Sequence, residues 1–245
     1  MVSRIKRWMP IGPILAAVAA AWRGPHLMLR ARLAAGSLPA ASVPVVVFTP
    51  PEPAEPTVCV RVGELAIDVP TTMQKERALD GGASVVLRSC DLVCTIVEPR
   101  PDRVRKWREE LPCLALWCGD LDEVGVRAAV YAAAHEDFSW WMSGAEAFRL
   151  VSLLSGKRML SRSVENVEIV RGHSVKGVLQ IRRWGDDTIL VYDYFATDET
   201  CGGFAVLSVV GGNAAALRSA RSLVGSFRLA PSASDGVLAA SGHDP

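Results

Sequence analysis

The stretch "VEIVRGHSVKGVLQIRRWGDDTILVYDYFATDETCGGFAVLSVVGG", Val167 to Gly212, decides the fold class. It holds four runs rich in Val, Ile, Leu, Tyr and Phe: "VEIVRG", "SVKGVLQIRRW", "TILVYDYFA" and "GGFAVLSVVGG". Trp184-Gly185-Asp186-Asp187-Thr188 between the second and third has the composition of a hairpin turn. Gly202-Gly203 and Gly211-Gly212 are further breaks. Short connections of this kind make consecutive strands antiparallel neighbours.

Working outward, "NAAALRSARSLVG" (213–225) reads as the last helix, with Asn213 as its N-cap and Gly225 at its C′ position. "SFRLA" then closes with a short strand. Upstream, Ser143 and Glu146 form a capping-box pattern. Ala147, Leu150, Val151 and Leu154 follow at i, i+3, i+4, i+7, and Gly156 fits a C′ position. "GDLDEVGVRAAVYAAAHED" carries Leu121, Val124, Ala128 and Tyr131 at helical spacing. Asp102 starts a shorter helical pattern through Val104, Trp107 and Leu111, which Pro112 ends. "VCVRVGELAIDVP" (58–70) reads as one or two short strands and "ASVVLRSCDLVCTIVEP" (83–99) as a long one. The expectation is an α+β fold: a mainly antiparallel sheet of about six strands, a central helical insertion over about 102–156, and a C-terminal helix packed on the sheet.

The organisation along the chain follows from punctuation. Residues 1–36 read as a signal-like or anchor segment. A basic head (Arg4, Lys6, Arg7) precedes an uncharged run from Trp8 to Trp22 with small-residue cleavage patterns at Ala17–Ala21. That run is short for a membrane span, and Arg23, Arg30 and Arg32 follow it at once. Export or anchoring, with membrane association through residues 8–22, is favoured over a cytoplasmic location; a start at Met28 is a further alternative. Pro50, Pro51, Pro53 and Pro56 make 37–57 a semi-rigid linker. A single α+β domain covers 58–231, and 232–245 reads as a flexible tail.

Half of the 245 residues are apolar and the net charge is +1. A packed core is therefore within reach, and the whole-chain charge gives no footprint for nucleic acid. The basic cluster Arg103, Arg105, Lys106 and Arg108 alternates with acids and reads as a solvated helix face. Cys90 and Cys94 in one strand would lie roughly 13 Å apart, too far for a bridge. Cys113 and Cys118 lack zinc-knuckle spacing, so free thiols are expected, a Cys113–Cys118 disulfide being the alternative. Nothing in the sequence calls for a cofactor or a metal.

The signatures of serine hydrolases, zinc proteases, dinucleotide-binding folds and dithiol oxidoreductases are missing. The one enzymatic arrangement the residue types allow is a cysteine hydrolase. In it Cys201 in "TDETCGGF" is the nucleophile, His173 its base, and Asp193 or Asp198 the orienting carboxylate. Asp193 shares a strand face with Ile189, Val191 and Phe195, so it needs a buried partner, for which Arg183 is the candidate. Trp184, Tyr192 and Tyr194, with Arg182 nearby, are read as an opposite face able to bind a ligand or partner. Trp140 and Trp141 cannot both point the same way in extended chain. One of them, with Phe138, is expected to wedge the following helix against the sheet; the other is free to meet a partner.

The order of residues 175–230 resembles the PsbP/Mog1-type α+β sandwiches. A strand with Val178-Leu179-Gln180-Ile181 leads to a hairpin, then "ILVYDYFATDETCGGFAVLSVVGG", then an Ala-rich helix into "GSFRLA". The resemblance implies a non-enzymatic binding or assembly domain and carries no functional residue across. The expected function is thus a non-catalytic α+β binding or structural domain. A cytoplasmic protein–protein interaction domain and the Cys201/His173 hydrolase are the alternatives, and the partner is an unknown protein or small ligand.

Overall fold

The computed structural model describes residues 11–36, 42–77, 84–102, 121–160 and 164–230. The chain divides into two compact units, Met1–Ser42 with Ala133–Ser161, and Val43–Ala132 with Arg162–Pro245. The expected helix beyond its first residue Asp102, the basic cluster Arg103–Arg108 and the pair Cys113/Cys118 fall outside the described residues, as do residues 232–245.

The second unit is built on strands. The stretch from Val167 to Gly212 folds as hairpin-linked β7 (Val164–Arg171), β8 (Val175–Trp184), β9 (Asp187–Ala196) and β10 (Gly202–Val209). Gly185 sits at φ 62° in the β8–β9 turn, a conformation that L side chains rarely adopt. The other strands are β1 (Val45–Phe48), β2 (Thr57–Val62), β3 (Leu65–Pro70), β4 (Gln74–Arg77), β5 (Ser84–Arg88), β6 (Leu92–Val97) and β11 (Arg228–Leu229). They form an eight-stranded sheet in the order β1-β7-β8-β9-β10-β6-β5-β4 and a three-stranded sheet, β11-β3-β2.

This corrects the expectation of one mainly antiparallel sheet of about six strands: the described residues hold eleven strands in two sheets, and the larger sheet is mixed. Its β1–β7 pair is parallel, and β1 lies within the Pro-rich stretch expected to be a linker. Pro44 and Pro50 flank β1 without entering it, so its own ladder keeps every donor. The long strand expected over 83–99 is instead the β5–β6 hairpin, because Ser89-Cys90-Asp91 turns the chain and the Ser89 amide donates to the Leu92 carbonyl (2.8 Å).

Among the described residues four α-helices accompany the sheets: α1 (Ile11–Ala34), α2 (Glu123–Ala132), α3 (Gly144–Leu160) and α4 (Ala214–Gly225). The central helical insertion is not one block, since α2 belongs to the strand unit and α3 to the other. Asn213 caps α4 by accepting from the amides of Ala215 and Ala216. Gly225 does not take the left-handed C′ role; a Cβ there would collide with the Pro50 ring.

The two faces of the large sheet are covered differently. Leu87, Cys94, Ile96, Leu179, Leu190, Tyr192, Tyr194 and Leu207 meet Leu65, Ile67 and Val69 of the small sheet, Ala220 and Leu223 of α4, and Phe227. This is the main core. The other face lies under α2 along β7 and β8, where Val167, Val178 and Phe195 are fully buried.

The helical unit pairs α1 with α3. The capping box forms: the Ser143 amide donates to Glu146 Oε2 (2.6 Å), and the Glu146 amide donates to Ser143 Oγ (3.2 Å). The helix does not stop at Gly156. It continues to Leu160, and the buried Lys157 donates from Nζ to the Ala133 carbonyl (2.8 Å). Burial holds the Lys157 ammonium below its ordinary pKa, with Asp137 opposing.

Candidate functional site

The three residues of the hydrolase reading occupy three separate environments. Cys201 precedes β10, and its carbonyl accepts from the Ala196 amide (2.9 Å). It is buried on the core side of the sheet, and that burial raises its thiol pKa; its polar neighbours are Thr200, Glu64 and Asp198. A thiol so placed is a poor nucleophile, because it is the thiolate that attacks. His173 is exposed in the β7–β8 turn, where its backbone carbonyl accepts from Thr197 Oγ1 (3.3 Å). Asp193 lies in mid-strand on the opposite face from Cys201, since Asp193 pairs with Phe204 and Phe195 with Gly202 in the β9–β10 register.

Asp193 has the buried partner its setting demands, but a different one from the Arg183 expected. Arg127 of α2 donates from Nη1 to Asp193 Oδ2 (2.8 Å), and Gln180 Nε2 donates to the same oxygen (2.9 Å). Both ionic side chains are over nine-tenths buried. Arg183 projects from the other face, by its pairing with Thr188, and meets Glu165 at 3.7 Å in solvent. Arg182 continues the network, donating to Gln180 Oε1 (2.6 Å), and the Arg127 guanidinium lies 5.2 Å from the Phe195 ring centre. Tyr131 packs here fully buried, and desolvation pushes its phenol up to about 12. The sequence signal missed was Arg127 itself: a charged residue three after Val124 and four before Tyr131, on the helix face that buries both.

The loop "TDETCGGF" works structurally. Asp198 accepts from the Thr200 amide and hydroxyl, which together hold its carboxyl below the usual range. Glu199, a non-glycine residue at φ 60°, accepts from the Glu123 amide at the start of α2 (3.0 Å) and from Lys176 Nζ (3.1 Å). The loop therefore anchors the helix that supplies Arg127.

The expected aromatic surface is divided. Tyr192 and Tyr194 are core residues, each at 1% exposure. Phe227 stands edge-on to both, with ring centres 5.3 Å away. Gly177 and Gly203 leave room for the two tyrosine rings, where a Cβ would collide. Trp184 and Arg182 share the Asp193 side by register, and Trp184 is largely exposed at the hairpin end. Trp140 and Phe138 belong to the helical unit. They pack within the helical unit around His26 of α1, which stacks on Trp140 at 6.2 Å and meets Phe138 edge-on at 6.0 Å. Trp141 is 92% exposed.

An open cleft of about 260 Å³ lies where the β5–β6 turn meets the start of α4. Met73, Leu92 and Ala216 give it an apolar floor, and Glu55, Thr72, Ser89, Asp91 and Asn213 a polar rim. Thr72 Oγ1 donates to Glu55 Oε2 (2.9 Å), and Asn213 Nδ2 donates to Asp91 Oδ2 (2.8 Å), so both carboxylates are oriented by neighbours. The exposed thiol of Cys90 stands at the rim. Among the described residues no basic side chain lines this cleft, and no group of three His, Cys, Asp or Glu is disposed to hold a metal ion. Its residues lie far apart in sequence and carry no motif, so they were not read as a site beforehand. Compared with models of known protein families and with curated proteins, the sequence shows no match.

Proposed function

We propose that the chain is a non-catalytic α+β binding domain whose ligand cleft lies between the β5–β6 turn and α4. The observation that carries this reading is the contrast in availability. Cys201 and Asp193 of the hydrolase alternative are buried on opposite faces of the sheet, whereas the cleft is open, apolar below and carboxylate-bearing above. Such a lining favours a small ligand with an amine beside an apolar portion, since a cation there meets two acidic groups and no competing base. A binding role is also what the PsbP/Mog1-type resemblance implies.

The test is a titration of the full chain with small primary amines such as putrescine and agmatine, followed by amide chemical shifts. Shifts confined to Ser89, Asp91, Asn213 and their neighbours, and abolished by Ser219→Trp, support the reading. No shift at millimolar amine overturns it. A thiol probe separates the hydrolase alternative: Cys90 reacts at once and Cys201 stays protected, whereas rapid labelling of Cys201 would revive catalysis.

A further inference from the structure

Charge is distributed unevenly between the two units, although the whole chain is nearly neutral. The helical unit carries nine Lys and Arg against three Asp and Glu, and the strand unit eighteen against twenty-three. No acidic residue occurs before Glu52, while Arg4, Lys6, Arg7, Arg23, Arg30 and Arg32 do. An asymmetry of this size in sequence suits a polyanionic partner.

The described residues of this unit present both charge and apolar area on one stripe. Arg23, Leu27 and Arg30 fall at i, i+4, i+7 on α1, so they form one stripe. Leu27, between the two arginines, is 60% exposed. The stripe continues onto the tryptophan pair. Arg23 Nη1 donates to the Trp140 carbonyl (2.9 Å), and the guanidinium groups of Arg23 and Arg30 lie 5.9 and 4.9 Å from the centre of the Trp140 ring. Trp140 is thereby clamped, and its neighbour Trp141 projects. Buried His26 and Leu29 fasten the side of α1 next to the stripe, so the patch sits on a packed helix.

We infer that this patch docks the chain on an anionic lipid bilayer, with Arg23 and Arg30 at the phosphates and Leu27 and Trp141 in the headgroup–acyl boundary. Arginines flanking an exposed leucine and tryptophan match an interface that is charged outside and apolar just beneath. A nucleic acid would satisfy the arginines but gives exposed Leu27 nothing to enter. Among the described residues no helix is long and apolar enough to cross a membrane, and docking of this kind needs none. The cleft of the strand unit plays no part in it.

The experiment is co-sedimentation of the full chain with vesicles of phosphatidylcholine alone or mixed with phosphatidylglycerol, alongside duplex and single-stranded oligonucleotides. Binding is expected on the anionic vesicles, weakening steeply with salt. Arg23→Gln with Arg30→Gln should cut partitioning by at least about tenfold, and Leu27→Ser or Trp141→Ser should cut it at low and high salt alike. For the unaltered chain, quenching of tryptophan fluorescence by brominated acyl chains gives a readout that needs no variant to fold. Equal binding to neutral and anionic vesicles, full binding by the Trp141→Ser variant, or oligonucleotide binding without vesicle binding each overturns the inference.

Discussion

The two faces of the eight-stranded sheet solve the same problem with different physics. On one, Tyr192, Tyr194, Leu179 and Leu207 pack against the small sheet and α4 mainly through apolar area and ring contacts, with one ion pair, Arg221 of α4 to Glu168 of β7, at the side. On the other, α2 covers β7 and β8 partly through a directional polar set, Arg127–Asp193–Gln180. Apolar burial tolerates small displacements. A buried ion pair fixes the helix to one register but depends on both partners being present. The sheet thus has one face held chiefly by volume and one fixed at its centre by a bond.

The comparison is broken most severely from the polar side. Arg127→Met should cost about 3–5 kcal/mol in chemical denaturation, because a buried carboxylate loses its cation. Adding Asp193→Leu should recover most of that loss; if the double variant is as unstable as the single, the network is not an isolated pair. On the apolar face, Leu179→Ala should cost about 2–5 kcal/mol, with no second substitution on α2 able to rescue it. An alkaline titration interrogates both faces at once. Burial raises the phenols of Tyr131, on α2, and Tyr192, in the main core, above their ordinary value near 10. Groups with raised pKa stabilise the fold fully below the unfolded value and lose that contribution as pH climbs through the folded one. Phenolate absorbance from these rings should therefore appear well above pH 10, together with loss of far-ultraviolet circular dichroism. The smallest effect belongs to Arg183→Ala, which should shift stability by less than about 0.5 kcal/mol, since its contact with Glu165 is long and exposed.

Legibility followed the range of the forces involved. The β8–β9 hairpin, the capping box at Ser143 and the Asn213 cap each depend on residues within a few positions, and all could be read from sequence. Asp193 was recognisable as a buried carboxylate from Ile189, Val191 and Phe195, yet its partner stands on a helix 66 residues earlier, where no local pattern points to it. Strand β4, "QKER", is polar because it forms a sheet edge, so no apolar alternation announced it. Strand β1 was hidden among prolines. The β2–β3 hairpin could be seen, but its membership of a second sheet with β11 is a long-range fact.

Strand β1 has one more consequence, which concerns the order of assembly. Its partner β7 emerges from synthesis much later, and until then Val45–Phe48 has no ladder to join. The Pro44 carbonyl waits for the Val167 amide, and the Val43 amide for the Tyr131 carbonyl. The edge of the large sheet is therefore closed by a strand made long before its partner, and the loop-closure entropy of that long return falls on four residues. Those four residues are the natural starting point for unzipping, and in amide exchange their hydrogens should be replaced before those of β8 and β9.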